Sequence, residues 1–76
     1  MVKEIVSEIG KMIAHRRNEK GISQETLADL AQIHRTYVSQ IERGLKCPTI
    51  YVLFQISKAL DIKLSEMIVE LEKTTE

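Results

Sequence analysis

The sequence has few of the residues that build disulfide frameworks, metal sites or membrane spans. Its 76 residues include one cysteine, one proline, three glycines and no tryptophan. A single cysteine cannot close an internal disulfide, and two separated histidines give no zinc-ligand spacing. No apolar run approaches membrane-helix length, and the opening MVKEIVSEIG mixes charges unlike a signal peptide. These absences predict one cytoplasmic domain, residues 1–76, with no metal, cofactor, small-molecule ligand or membrane partner.

The formal net charge is zero, because eleven Lys and Arg balance eleven Asp and Glu. The balance is uneven along the chain. Residues 1–60 carry nine basic and six acidic side chains, a net +3, whereas residues 61–76 carry two basic and five acidic, a net −3. Such asymmetry suits a protein with one end facing an anion, although it is also typical of an ordinary solvated surface.

Apolar residues recur at helical spacing, and no alternating pattern of convincing length indicates a strand. The first helix is predicted over residues 3–20. Ser23 is expected to cap a second helix, QETLADLA, since its hydroxyl can accept a hydrogen bond from a first-turn amide. A break at residues 32–34 precedes a third helix over about residues 35–43.

Two further helices complete the chain. Pro48 and Thr49 open the fourth, because proline disfavours helix in the residue before it and threonine can cap the helix after it. Ser65 begins the fifth, which is expected to stop before a polar tail, KTTE. The sequence therefore predicts an all-α, compact five-helix bundle, and the apolar side chains carried by the fifth helix are Leu64, Met67, Ile68 and Leu71. These residues are expected on the inner faces of the first four helices: Ile5, Ile9, Met12, Ile13, Leu27, Ala28, Ala31, Val38, Ile41, Leu53, Ile56, Ala59 and Leu60.

Two short helices joined by a three-residue break form a helix-turn-helix arrangement. The segment ISQETLADLAQIHRTYVSQIERGLKCPTI resembles the Cro/repressor-like helix-turn-helix family, also called the XRE family, and the similarity extends over residues 9–68. It rests on GISQETLA, a small Ala28 where the helices meet, Ile33 in the turn, and IERG followed by proline. The substring HRTYVSQIERG further resembles controller proteins of restriction-modification systems. The resemblance implies a lambda-repressor-like DNA-binding domain with its motif at about 24–43.

Gln32 departs from the family pattern, which usually has glycine in the turn. The turn needs a backbone conformation that a side chain disfavours. Either Gln32 accepts a cost on the order of 1 kcal/mol, or the turn adopts a slightly different path.

The third helix carries side chains suited to base edges in the major groove. Arg35 offers a planar fork that matches guanine O6 and N7, and Gln40 can pair with adenine. Thr36 can place its methyl against a thymine methyl, and Ser39 can contact either base type. By resemblance these are the base-contacting positions, although Arg35 in isolation would be a solvated surface residue.

Five other residues are predicted to contact the DNA backbone, where they would fix register without distinguishing sequence. Gln24 opens the second helix, whose free amides and positive end favour a phosphate. Tyr37 can reach a flanking strand, or instead pack its ring over the turn. The predicted phosphate-contacting set is Gln24, Tyr37, Arg43, Lys46 and Arg16.

Arg17 and Glu42 are assigned a structural role by the resemblance. Family members pair this arginine with the glutamate of the IERG string, which ties the first helix to the third. Loss of one partner of a buried pair costs about 3–5 kcal/mol. Variants of Arg17 would therefore lose DNA binding through the fold.

One recognition helix contacts only a few base pairs, so a specific site calls for a homodimer on a roughly palindromic operator. The dimer surface is expected within about residues 50–72, where the following apolar residues exceed what one small core can use, although some of them belong to that core: Tyr51, Phe54, Leu64, Ile68, Val69 and Leu71. The predicted function is a sequence-specific DNA-binding transcriptional regulator acting on double-stranded DNA. The alternative is an antitoxin or adaptor that binds a protein, which would expose more apolar side chains at its centre. No enzyme motif is visible.

Overall fold

Five α-helices make up the computed structural model, which describes residues 2–75. They are α1 (Val2–Lys20), α2 (Gln24–Ala31), α3 (Arg35–Glu42), α4 (Ile50–Ala59) and α5 (Leu64–Thr75), and residues 2–75 contain no strand. Met1 and Glu76, which belong to the predicted domain 1–76, lie outside the described residues. The predicted all-α, five-helix fold is confirmed.

Two helices begin at the capping residues expected from the sequence. Ser23 Oγ accepts a hydrogen bond from the backbone N–H of Thr26 at 3.0 Å, at the start of α2. Thr49 Oγ1 accepts one from the N–H of Val52 at 3.1 Å, at the start of α4. Each bond satisfies an amide that has no partner inside its own helix.

The turn between α2 and α3 is built around Gln32, which adopts the left-handed conformation with φ 59° and ψ 45°. The N–H of Ile33 donates to the carbonyl of Ala28 at 3.0 Å, as in a Schellman motif, and Ile33 packs against the core. The turn thus keeps the left-handed geometry that glycine adopts without penalty. Of the two alternatives for Gln32, the strained residue is the one observed, at a cost of about 1 kcal/mol.

The core lies where the five helices meet. Helix α1 packs against α3 and α5, α2 packs against α3 and α4, and α4 also contacts α5. Ile5, predicted to be buried, is 45% exposed. Ala59, Leu64, Ile68 and Leu71 are only partly buried against the core. The buried apolar residues are Ile9, Met12, Ile13, Leu27, Ala28, Ala31, Val38, Ile41, Leu53, Ile56, Leu60 and Met67.

Helices α1 and α3 approach each other closely at Gly10. A Cβ atom on Gly10 would lie against the carbonyl oxygen of Ile41 and 2.8 Å from that of Glu42. Both oxygens belong to the last residues of α3, so only a residue without a side chain lets α1 rest on that end of the helix. This contact fixes the position of α3 in the bundle.

Helix α5 differs from its predicted bounds at both ends. It begins one residue early, at Leu64, because Glu66 Oε1 accepts a hydrogen bond from the backbone N–H of Lys63 at 3.3 Å. This is the carboxylate half of a capping box. The helix also continues into the predicted polar tail, where the hydroxyls of Thr74 and Thr75 donate to carbonyls four residues earlier at 3.0 and 2.9 Å.

Candidate nucleic-acid interface

The outward side of α3 carries the four side chains predicted to contact bases. Val38 and Ile41 are fully buried and hold the opposite side of α3 against the core. Within residues 2–75 none of the four outward side chains has a hydrogen bond or ion pair, so their polar groups are free for a ligand. The first two are exposed and the last two half-buried. We call this set the recognition surface: Arg35, Thr36, Ser39 and Gln40.

The N-terminal end of α3 has no side-chain cap. His34 occupies the capping position with extended backbone, and its side chain makes no capping hydrogen bond. The first amides of a helix have no intrahelical acceptor, and the aligned peptide dipoles give that end a partial positive charge. The amide of Tyr37 donates to the carbonyl of His34 at 3.0 Å, so among residues 2–75 the start of α3 presents the amides of Arg35 and Thr36 as free donors.

A buried carboxylate links α3 to α1 and α2. The side chain of Glu42 is only 6% exposed. Arg17 donates to it through Nε and Nη2 at 2.7 and 3.1 Å, so the predicted partners are in contact. Gln24 also donates to it, through Nε2 at 2.9 Å. We call Glu42, Arg17 and Gln24 the Glu42 cluster.

Arg17 is held from two sides. Besides its two hydrogen bonds to Glu42, its Nη1 donates to the carbonyl of Ile22 at 2.9 Å. The hydrogen bond to Glu42, partly opposed by burial, raises the pKa of Arg17 above its ordinary value. The guanidinium therefore stays charged and neutralises the buried carboxylate.

Four of the five predicted phosphate-contacting residues lie on or near α3. Gln24 lines one cleft together with Arg35, which places the start of α2 beside the recognition surface. Arg43 and Lys46 are exposed just after α3. Tyr37 is half-buried and packs against the core, which fits the alternative in which its ring covers the turn.

Arg16 has a different setting. Its Nη2 and Nε donate to Glu70 Oε1 at 2.7 and 3.2 Å, which joins α1 to α5. This hydrogen bond raises the pKa of Arg16 above its ordinary value. The guanidinium of Arg16 is bonded to Glu70 at the contact between α1 and α5. The structure therefore does not bring Arg16 together with the recognition surface.

The predicted dimer residues separate into two groups. Tyr51, Phe54 and Val69 are 67%, 45% and 48% exposed, respectively. Leu64, Ile68 and Leu71 instead pack partly against the core, because the inner side of α5 closes the bundle over α1 and α4.

An exposed apolar residue that was not predicted from the sequence lies beside two of these. Ile50, the first residue of α4, is 67% exposed next to Tyr51. Ile50, Tyr51 and Phe54 follow the one-and-four spacing of a single helix face. That face lies opposite the buried Leu53 and Ile56, a signal that was present in the sequence. We call Ile50, Tyr51 and Phe54 the α4 patch.

The described residues, 2–75, contain neither a metal-ligand cluster nor a membrane-spanning helix. No group of three or more His, Cys, Asp or Glu side chains there could hold a metal ion. No helix among them is long and apolar enough to cross a membrane.

Comparison with known proteins identifies the class. The helix-turn-helix family model matches residues 13–67, and the chain belongs to this family. The predicted resemblance to helix-turn-helix DNA-binding regulators is therefore confirmed.

Two relatives and one solved structure illustrate which members of the family this chain is similar to. The chain is 37% identical to the transcriptional regulator SinR of Bacillus subtilis, over 87% of this chain and 60% of SinR. It is 33% identical to the control protein C.SmaI of Serratia marcescens, over 88% of this chain and 76% of that protein. The crystal structure of the restriction-modification controller protein C.AhdI from Aeromonas hydrophila superposes with a TM-score of 0.79, at 35% identity, over 82% of this chain and 94% of that one.

Proposed function

We propose that this DNA-binding regulator acts as a homodimer, in the cytoplasm, on a roughly palindromic operator whose bases are contacted by the recognition surface. The observation that carries the proposal is a row of polar side chains with no internal partner among residues 2–75, on a helix whose other side is buried. A helix presented in this way fits the major groove of B-DNA, where each base pair has a distinct pattern of donors and acceptors.

Each member of the recognition surface has a chemical role in this proposal. Arg35 donates two parallel hydrogen bonds to guanine, and Gln40 pairs with adenine through one donor and one acceptor. Thr36 packs its methyl group against thymine, and Ser39 contacts either base type. Arg35 and Thr36 lie at the start of α3, the end that reaches base edges in helix-turn-helix complexes.

Backbone contacts come from the residues around that surface. Gln24 lies at the start of α2, where free amides favour a phosphate. Arg43 and Lys46 are exposed cations just after α3. Residues 1–60, which contain all of these groups, carry the net positive charge of the chain, whereas the acidic residues 61–76 include α5. The proposal therefore assigns the DNA contacts to the basic part of the chain and none to the acidic residues 61–76.

A second copy completes the site, because one α3 contacts too few base pairs for specificity. Two copies related by a twofold axis would place two recognition helices about 34 Å apart, one turn of DNA. The exposed α4 patch and Val69 supply apolar surface for that contact. Exposed aromatic side chains are enriched at such interfaces.

The DNA proposal is tested by selecting bound duplexes from a random pool and sequencing them. We expect a palindromic motif, and Arg35→Ala should relax the preference at one guanine of each half-site and weaken binding by about 1–3 kcal/mol. Arg43→Ala is the matched control. It removes the same guanidinium from the backbone-contacting set, so it should weaken all sequences alike and lower the salt slope by about 1.

Two results would contradict this assignment. If Arg35→Ala behaves like Arg43→Ala, Arg35 does not contact bases. If the wild-type protein shows only weak, sequence-blind and strongly salt-dependent binding, the antitoxin or adaptor alternative becomes the better account.

The dimer proposal is tested by sedimentation equilibrium. We expect Phe54→Ser to raise the dimer dissociation constant strongly. Leu30→Ser is the matched control, because Leu30 is 55% exposed on α2, outside the proposed dimer surface. A wild-type protein that remains monomeric at every concentration tested, or equal effects of the two variants, would contradict the proposed surface.

A further inference from the structure

Glu42 has more hydrogen-bond donors around it than a simple ion pair requires. Its Oε2 accepts from Arg17 Nε at 2.7 Å, and its Oε1 accepts from both Arg17 Nη2 at 3.1 Å and Gln24 Nε2 at 2.9 Å. The arginine alone would neutralise the carboxylate. The additional bond comes from Gln24, the first residue of α2, which is one of the residues predicted to contact the DNA backbone.

The bond to Glu42 fixes which way the Gln24 amide points. An ionised carboxylate can only accept hydrogen bonds, so it must face the NH₂ group of the amide and never its carbonyl oxygen. One Nε2 hydrogen is used in that bond, and the second remains. Gln24 is half-buried and lines one cleft together with Arg17, Ser23, Glu25 and Arg35, next to the recognition surface.

We propose that Glu42 is a positioning residue for DNA binding: its buried carboxylate orients the Gln24 amide so that the second Nε2 hydrogen is held ready for a DNA phosphate oxygen. The inference rests on the proposed function and deepens it. Glu42 does not touch DNA in this arrangement. It acts through Gln24, separately from its contact with α1 through Arg17.

The charge state of the cluster supports this role. A bare carboxylate near a DNA backbone would repel phosphate. Here Arg17 donates from Nε, Nη1 and Nη2 within the protein, and its charge neutralises Glu42. The cluster therefore presents a neutral, oriented donor where an unpaired glutamate would oppose binding.

Orienting the Gln24 side chain before DNA binds should change the affinity for DNA by a measurable amount. A free glutamine side chain loses rotamer freedom when it is immobilised on a ligand, which corresponds to about a 2- to 10-fold loss of affinity. In the structure that freedom is already lost on folding. Releasing Gln24 from Glu42 should therefore weaken DNA binding by about 2- to 10-fold in the folded protein.

A double-mutant cycle separates positioning from fold maintenance. Affinity for the selected operator is measured for wild type, Gln24→Met, Glu42→Gln and the double variant, below their unfolding temperatures and corrected for active fraction by stoichiometric titration. Methionine keeps the length of Gln24 but has no donor. We expect Glu42→Gln to weaken binding about 2- to 10-fold when Gln24 is present. In the Gln24→Met background the same change should weaken binding less than about 2-fold. An equal loss in both backgrounds would overturn the proposal, because Glu42 would then act through the fold alone.

A second readout does not depend on Glu42→Gln being folded. In the NMR spectrum of the wild-type protein, the side-chain NH₂ protons of Gln24 should exchange with water more slowly than those of Gln32, whose side chain is exposed. If Glu42→Gln folds, this difference should shrink. Equal exchange at Gln24 and Gln32 in the wild type would overturn the proposal whatever the variants do.

Measuring Arg35→Ala beside Gln24→Met distinguishes a failure of this inference from a failure of the proposed function. If Gln24→Met leaves affinity unchanged while Arg35→Ala lowers it, the positioning proposal is wrong and the DNA function stands. If neither variant changes binding to the selected operator, the proposed interface itself is wrong.

Discussion

Gly10→Ala reverses the usual sign of a glycine-to-alanine change in a helix. In a helix interior such a change normally stabilises by about 0.5–1 kcal/mol, because glycine loses more conformational freedom on folding. At Gly10 the new Cβ would press on the carbonyl oxygen of Ile41 and lie 2.8 Å from that of Glu42. Both obstacles are backbone atoms, which cannot rotate away as a flexible side chain can.

The loss of unfolding free energy in Gly10→Ala depends on how far α1 must shift. Restoring ordinary contact requires α1 to move from α3 by several tenths of an ångström to about 1 Å, which disturbs packing along that interface. Overpacking of this kind costs about 1–3 kcal/mol. The shift involves backbone, so the upper end applies, and the helix-propensity gain of about 1 kcal/mol is subtracted. We expect a net loss of about 2 kcal/mol, or about 8–16 °C in Tm.

The assay is urea unfolding monitored by circular dichroism, at one fixed protein concentration because dimerisation would contribute to stability. Ala14→Gly, in the same helix, is the control: it should destabilise by at least about 1 kcal/mol, through helix propensity and the loss of a half-buried methyl group. A Gly10→Ala protein as stable as the wild type, or more stable, would refute the close approach of α1 to α3.

Three further changes test the helix ends and the Glu42 cluster. Gln32→Gly should stabilise the protein by up to about 1 kcal/mol, since glycine adopts φ 59° without strain; a loss of stability in urea unfolding would contradict this. Ser23→Ala should cost about 1 kcal/mol by removing the cap of α2, and an unchanged unfolding midpoint would argue against that cap. Arg17→Ala should cost about 3–5 kcal/mol, because it leaves the Glu42 carboxylate buried without its cation; if thermal unfolding is unaffected, the pair is not structural.

The sequence was most informative where structure depends on neighbours along the chain. Ser23 and Thr49 cap their helices because the hydroxyl and the amide it accepts from are only three residues apart. The burial of Val38 and Ile41 under α3 was also foreseeable. Local spacing is enough for each of these features.

Contacts between residues far apart in the chain could not be predicted from local spacing. Gly10 looks like any other position of the first helix until α3 is placed against it. The hydrogen bonds from Arg16 to Glu70 join residues 54 apart in the chain, so the sequence could not show that Arg16 is engaged at α5. The bond from Gln24 to Glu42 has the same origin, with both residues assigned roles separately and their contact set by the tertiary fold.

Because the side chains of Arg35 and Thr36 are exposed and make no hydrogen bonds or ion pairs within residues 2–75, changes at these two positions should leave stability nearly untouched. The opposite side of α3 is fully buried at Val38 and Ile41, and its last turn rests on Gly10. Drift in operator preference and maintenance of the fold are therefore nearly independent evolutionary problems for this chain. Under the proposed function, new DNA specificities are open to it through single substitutions at the exposed Arg35 or Thr36, without a compensating change in the core.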